Sequence, residues 1–305
     1  PRAIRLPAMK DEGYDPDYSA ALASAASLLG PMIPPSITLI VYAGLTDASV
    51  QKLFLATLTP AVVCTVAFLA YTLWYGKKKN LPKQPKKTLK EAGKIMLDAI
   101  WALLLPVIVL GLIFSGITTV TEAAAISCLY SAVVSLFIYK TITFKDLLKI
   151  LGDSAVSIAA IMILVGMSKA TAYVVISSQM PQLFMGFITS FTSSRFVVLL
   201  ILNLIFLLLG CLMEGNCIIV MMVPLLLTLV KSFGIDLLQF GVMAAINIYI
   251  GCITPPVGVS LLLGSKLGKT SIGGTFKAIL PFLGISMVIL ILVTYWPSFT
   301  LWLIH

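Results

Sequence analysis

Apolar residues in this chain come in long uncharged runs separated by short lysine-bearing stretches, and the runs outlast anything the interior of a soluble domain requires. Uncharged stretches cover 18–46, 53–76, 99–121, 237–265 and 278–304. A helix needs about 20 apolar residues to cross a hydrocarbon core of about 30 Å, so each stretch predicts a membrane span. Spans are expected at 18–46, 53–76, 95–117, 122–139, 154–177, 237–265 and 278–304. The segment 195–230 differs, because its arms hold only about 18 and 16 uncharged residues on either side of Glu214-Gly215-Asn216. Arms of that length predict a re-entrant hairpin turning at those three residues, with two full crossings as the alternative.

The distribution of charge orients these spans. Seventeen of the 21 basic residues fall in four clusters: Arg2, Arg5 and Lys10; eight lysines from Lys77 to Lys94; Lys140, Lys145 and Lys149; and Lys266, Lys269 and Lys277. Basic loops mark the cytoplasm, and the expected spans put all four clusters on one side when 195–230 enters and leaves by the same face. Trp74 and Tyr75, just ahead of Lys77, suit an interfacial belt. The mixed stretches 88–101 and 143–151 read equally as surface arms or as ordinary helix ends.

Composition agrees: 59% of the 305 residues are hydrophobic and 11% charged, so water is not the main solvent. The net charge of +9 comes from inter-span lysines rather than one continuous basic face, which argues against nucleic acid. Cys64, Cys128, Cys211, Cys217 and Cys252 lie in apolar surroundings without metal-ligand or disulfide spacing. His305 is the only histidine and is terminal, so no serine or cysteine has a histidine to activate it and no catalytic residue is assigned.

An offset of 221 residues aligns Lys10, Gly13, Asp15, Ala23, Gly30, Pro34, Pro35 and Pro60 with Lys231, Gly234, Asp236, Ala244, Gly251, Pro255, Pro256 and Pro281. Each copy carries a K-x-x-G-x-D entry, a long apolar stretch broken by G-x-x-x-P-P, and a later proline. The charge clusters make the first copy run outward and the second inward, so the repeat is inverted, as in secondary transporters with helices broken near the midplane. The same offset places the first-repeat partner of 195–230 ahead of residue 10, so the chain is expected to start inside its first repeat. Four regions follow: 1–76, the end of the first repeat; 77–94, a basic cytoplasmic loop; 95–194, arm and scaffold helices; and 195–305, the second hairpin, broken helix and last span.

The breaks read LLGPMIPPSITL at 28–39 and YIGCITPPVGVS at 249–260. Proline has no amide hydrogen and clashes with the preceding turn, so each span is expected to split into two half-helices. A half-helix ending near Gly30 or Gly251 presents free carbonyls suited to a small hard cation such as sodium. The half-helix that begins after Pro35 or Pro256 presents free amides suited to a carboxylate, and Ser36, Thr38, Thr254 and Ser260 are candidate hydroxyl ligands to either the cation or the carboxylate. Ordinary packed kinks are the competing reading, disfavoured by the matching pair. At the hairpin tip, Glu214 and Asn216 are either functional or a loop closing on its own amides. Thr121 is expected to cap the helix that follows it, with Glu122 at the positive end. Lys169 is expected to snorkel.

In GYDPDYSAALASAASLLGPMIPPS (13–36), SGITTVTEAAA (115–125), LLLGCLMEGNCIIVMMVPLLL (207–227) and FGIDLLQFGVMAAINIYIGCITPPVGVSL (233–261), the chain resembles the large membrane subunit of tripartite ATP-independent periplasmic (TRAP) transporters. Val120 departs from the proline usual between the threonines of the second motif. The resemblance implies an all-α polytopic inner-membrane protein with an inverted-repeat, elevator-type fold. It also implies sodium coupling, a smaller membrane subunit, separate or fused, and a periplasmic substrate-binding protein delivering a small organic acid anion such as a dicarboxylate or sialic acid. One sodium site would be formed by Gly210, Met213 and Gly215 with Gly251, Thr254 and Pro255, and half of another by Gly30, Ile33 and Pro34. Substrate would meet Ser36, Thr38, Asn216, Thr254, Val257 and Gly258. A symporter that needs no binding protein and an intramembrane enzyme are the competing functions.

Overall fold

The computed structural model describes Met9 and residues 13–79 and 89–304. Arg2, Arg5, Lys10, Lys83, Lys86, Lys87, Thr88 and His305 lie outside the described residues, as do the side chains of Lys90, Lys94 and Lys169. The described regular structure is helical: α1 Pro16–Met32, α2 Ile37–Thr46, α3 Val50–Lys78, α4 Leu89–Phe114, α5 Val120–Val133 with a π turn Val134–Ile138, α6 Phe144–Ser177, α7 Met180–Phe191, α8 Arg195–Leu212, α9 Gly215–Ser232, α10 Leu237–Cys252, α11 Val259–Gly268, α12 Ile272–Tyr295 and α13 Ser298–Leu301. Among the described residues, seven stretches are long and apolar enough to cross a membrane: Pro16–Thr46, Val50–Lys78, Ile95–Phe114, Val120–Ile138, Arg195–Leu212, Gly215–Ser232 and Ile272–Tyr295. The chain forms two compact units, one from the described residues before 80 together with those from Val165 onward, the other from the described residues between 89 and Leu164.

In the first unit, the repeat's entry motif proves to be a turn followed by a cap. Gly13 and Gly234 sit at φ +81° and +62°, a region that favours glycine. Two residues later Asp15 accepts the Asp17 amide (2.9 Å), and Asp236 accepts those of Leu238 (2.8 Å) and Gln239 (3.0 Å). Capping supplies acceptors to amides that the first helical turn leaves open.

Both broken spans are split. An α-helical amide donates four residues back, and Pro34 and Pro35 have no amide hydrogen to offer Gly30 and Pro31; Pro255 and Pro256 fail Gly251 and Cys252 in the same way. The half-helices end at Met32 and Cys252, two and one residues beyond the glycines expected to end them, because Ile33 and Ile253 still donate to Leu29 (2.9 Å) and Ile250 (3.2 Å). The helices resume at Ile37 and Val259.

The two spans lie antiparallel. A Cβ on Gly268 would sit 2.9 Å from that of Ala20, Gly264 lies beside Ser24, and the Ser24 hydroxyl donates to the Ser260 carbonyl (3.1 Å). Further along, Thr38 Oγ1 meets the Tyr249 hydroxyl (2.6 Å), Tyr42 packs on Gly241, and the Tyr42 hydroxyl donates to the Leu237 carbonyl (2.6 Å). As the first copy runs from 20 to 42, its partner falls from 268 to 237, which is what an inverted repeat requires.

Helix α8 runs parallel to α10. Arg195 reaches Gln239, the Asn247 amide donates to Asn203 Oδ1 and to the Asn203 carbonyl (2.8 Å each), and Gly210 lies against Gly251. The hairpin α8–α9 therefore opens beside the start of α10 and carries its tip to the second break, about 24 Å along the span at 1.5 Å per residue. Asn203 Nδ2 also donates to Thr294 Oγ1 (3.1 Å) and Gln239 Nε2 to the carbonyls of Val293 and Thr294 (3.0 and 2.8 Å), tying α8 and α10 to α12.

At the other end Tyr18 stacks on Tyr75 (3.8 Å between centroids), and Asp17 lies beside Gly274. The start of α1, the ends of α3 and α11 and the start of α12 thus share the end that carries Lys77, Lys78, Lys79, Lys266, Lys269 and Lys277. Lysine placement had predicted such a shared face for these clusters.

Three expectations need correction. The last span, expected at 278–304, is a helix at Ile272–Tyr295, because Ser271 caps it earlier (to the Gly274 amide, 3.0 Å) and Trp296, preceding Pro297, leaves the helical region. The chain then turns back, and Trp302 Nε1 donates to Thr59 Oγ1 (2.7 Å). The hairpin turn is Met213-Glu214, since Gly215 and Asn216 already belong to α9. In the second unit, Thr119 rather than Thr121 caps α5. Glu122 Oε2 accepts the Thr119 amide (2.7 Å) and hydroxyl (2.9 Å) while Thr119 Oγ1 accepts the Glu122 amide (3.3 Å), and that reciprocal box needs a spacing of three. Val120 occupies the first helical position without disturbing it. Within this unit α4 and α5 are joined by Tyr139 to the Asp98 carbonyl (2.7 Å) and Tyr130 to the Trp101 carbonyl (2.8 Å). The stretches 89–101 and 144–151 continue into long helices.

Candidate functional site

The hairpin tip and the second break meet through glycines. A Cβ on Gly251 would lie 2.5 Å from the Gly210 carbonyl carbon and 2.6 Å from its Cα, and one on Gly210 would lie 2.6 Å from the Ile248 carbonyl oxygen. Only hydrogen fits on either side, so the two backbones touch directly. The Gly258 amide donates to the Cys211 carbonyl (3.1 Å) and locks the far side of the break to the tip. Gly258 sits at φ +51°, where a Cβ would meet the Thr254 carbonyl at 2.8 Å.

Carbonyls gather at this junction. Beyond Leu209, which accepts the Met213 amide, the carbonyls of Gly210, Leu212 and Met213 accept no backbone amide among the described residues. The Thr254 hydroxyl donates to the Ile250 carbonyl (2.8 Å), leaving its own lone pairs free, whereas the Gly251 carbonyl accepts the Thr254 amide (2.9 Å). Neutral oxygens on two tightly docked backbones are what a small hard cation takes. Gly210, Gly215, Gly251, Thr254 and Gly258 are brought to one junction, with Met213 at the hairpin turn and Pro255 next to Thr254 in the break; the Gly258 amide, expected to face substrate, is spent on Cys211.

Glu214 is not a free charge. Its carboxylate accepts the amides of Asn216 (3.0 Å) and Cys217 (3.2 Å) and the Asn216 side-chain amide (2.9 Å), so it caps α9. Of the two sequence readings of the tip, the geometry matches a loop closing on its own amides.

The start of α2 reaches the same junction. Thr38 Oγ1 donates to Asn216 Oδ1 (3.0 Å) and meets the Tyr249 hydroxyl (2.6 Å). Ser36 at the N-cap makes no capping bond, and its hydroxyl is buried with no partner. The amides of Ile37, Thr38 and Leu39 find no acceptor among the described residues, the first backbone bond of this helix being Ile40 to Ser36 (3.1 Å). Open amides, a positive dipole end and an unpartnered hydroxyl are features that suit an anion.

The first break itself stands apart. Gly30, the repeat partner of Gly251, has nothing within 4 Å of a Cβ position. Ile33 and Ile37 are 43% and 55% exposed, whereas their repeat partners on the second break, Thr254 and Gly258, are half-buried and buried. Gly30 and Ile33 are therefore not pressed against a partner as Gly251 is, while Pro34 is buried. Val257 lies half-buried on the second break. Sequence reading missed Tyr249, the first residue of the second break at 249–260, and Asn203 and Asn247, whose amides inside uncharged spans were signal enough.

Residues 3–299 match the model of the tripartite ATP-independent periplasmic transporter, DctM component. This chain belongs to that family. It is 33% identical over 298 residues to the sialic acid TRAP transporter large permease of Vibrio cholerae, covering 98% of this chain and 70% of that protein. It is 36% identical over 299 residues to the C4-dicarboxylate TRAP transporter large permease of Pseudomonas aeruginosa, again 98% and 70%. The isethionate TRAP transporter permease DctMQ of Oleidesulfovibrio alaskensis is 32% identical over 297 residues, which are 97% of this chain and 47% of that one. As a DctM component with seven candidate spans, the chain is a multi-pass protein of the bacterial inner membrane.

Proposed function

We propose that this chain is the transport subunit of a sodium-coupled permease that takes up a small organic acid anion across the inner membrane. The observation that carries the proposal is the meeting of a carbonyl-rich junction, Gly210 to Met213 against Gly251 to Thr254, with the amide-bearing start of α2 at Ser36 and Thr38. Sodium, as co-transported substrate, would bind the carbonyls and the Thr254 hydroxyl. The anion's carboxylate would bind the α2 amides and the Ser36 hydroxyl. Each charge lowers the cost of bringing the other out of water, which makes binding of the two mutually dependent.

A second sodium site would use Gly30, Ile33 and Pro34, with a matching hairpin laid on the exposed face of the first break. The hairpin α8–α9 would be re-entrant, and the antiparallel spans would travel with it as one body in an elevator-type motion. Relatives named for sialic acid, C4-dicarboxylates and isethionate share an anionic group, and the same class is proposed here. The working assembly would add a small membrane subunit, separate or fused as the name DctMQ suggests for that relative, and a periplasmic binding protein.

The test is uptake of labelled sialic acid and labelled succinate by the complete assembly in proteoliposomes. Uptake of one of them is expected with an inward sodium gradient and binding protein, and none with potassium alone. Uptake by membrane subunits without binding protein would establish the binding-protein-independent symporter, and uptake indifferent to sodium would sink the coupled reading.

A further inference from the structure

Thr38 stands on α2, Asn216 on the hairpin tip and Tyr249 on α10, and one hydroxyl joins all three. The direction of each hydrogen bond follows from Glu214. A carboxylate only accepts, so Asn216 must turn its Nδ2 toward Glu214 Oε1 (2.9 Å), leaving Oδ1 toward Thr38. The amide oxygen only accepts, so the Thr38 proton goes to Asn216 (3.0 Å). With that proton committed, the Tyr249 hydroxyl must be the donor in the 2.6 Å contact with Thr38 Oγ1. A one-way relay results, Tyr249 to Thr38 to Asn216 to Glu214, anchored on the cap of α9.

We propose that Tyr249 is a positioning residue for the transported anion, holding the Thr38 hydroxyl so that it serves either the hairpin tip or the carboxylate at the start of α2. This rests on the anion receptor proposed above. Thr38 has a single proton and two claimants. When an anion draws it, Asn216 Oδ1 loses its donor and this hydrogen bond between α2 and the tip is broken; when the tip holds it, the anion loses a ligand. Tyr249 donates to Thr38 Oγ1 in both arrangements and strengthens whichever bond the Thr38 proton makes.

The experiment compares wild type, Tyr249→Phe, Thr38→Ser and Thr38→Val in the complete reconstituted assembly, measuring KM and maximal rate with labelled sialic acid or succinate, whichever the wild type takes up, in sodium and in potassium. Tyr249→Phe keeps the ring and deletes one donor, so KM is expected to rise about tenfold, the change one lost hydrogen bond of about 1.4 kcal/mol produces, with maximal rate changed less than twofold. Thr38→Ser should keep the wild-type KM, and Thr38→Val should raise it at least as much as Tyr249→Phe. A purely structural role would lower the amount of active transporter, and so the maximal rate, with KM unmoved; that result overturns the proposal. Should Tyr249→Phe fail to assemble, equal KM in the two Thr38 variants overturns it as well. Wild-type uptake that persists in potassium defeats the sodium reading, while the KM comparison still judges the relay.

Discussion

The two breaks share a motif and an offset of 221 residues yet live in different surroundings. At the second, Gly251 is pressed against Gly210, Gly258 is bonded to Cys211, and Ile250 and Ile253 are buried. At the first, Gly30 faces open space and Ile33 and Ile37, the partners of Thr254 and Gly258, are exposed, although Met32, the partner of Ile253, is buried. Even the backbone differs, since the Gly251 carbonyl takes the Thr254 amide while that of Gly30 takes none among the described residues. The difference teaches that the proline motif makes an interruption, whereas a docked hairpin makes it a closed junction.

The strongest way to break this comparison is to add one methyl group at each glycine. Gly251→Ala must push the hairpin away from the break and is expected to cost about 3 kcal/mol, with uptake lost. Gly30→Ala meets nothing and should stay within about 0.5 kcal/mol of wild type in thermal unfolding of this chain. Equal destabilisation by the two would remove the distinction between a closed and an open break.

A smaller effect is expected from the polar tie behind the second break. Asn247→Leu deletes two hydrogen bonds to the half-buried Asn203 but also removes the unpartnered Asn247 Oδ1, at a net cost of about 1 kcal/mol, read as a lower unfolding temperature. Smallest is Ser36→Ala on the first. Its hydroxyl is buried without a partner, so removing it should leave unfolding unchanged or raise stability by up to about 1 kcal/mol, while KM for the anion rises. A clear loss of stability would mean that the hydroxyl is satisfied and not waiting for a ligand.

Much of this was legible in one dimension. Long apolar runs announce spans because a bilayer demands length, and Pro-Pro pairs announce breaks because two successive amide donors are missing. The glycine–aspartate entry became a turn and cap in both copies, and the lysine pattern put the ends of α3 and α11 on one face. Boundaries were less legible where two local chemistries competed. Thr119 and Thr121 are both threonines ahead of Glu122, and only the reciprocal box chooses between them; Trp296-Pro297 ends α12 inside an otherwise uninterrupted apolar run.

The sequence by itself determined that the chain crosses membranes, that two of its spans are snapped, and that the snapped spans are copies of one another. These depend on solvation and on missing amides, properties each residue carries wherever it is placed. Only the tertiary structure decided that the antiparallel spans pack with Ala20 against Gly268 and Tyr42 against Gly241, that Glu214 is spent as a cap, and that Tyr249, Thr38 and Asn216 meet. Such outcomes depend on which donor comes within 3 Å of which acceptor, and residues about 180 to 210 positions apart come together only once helices have packed.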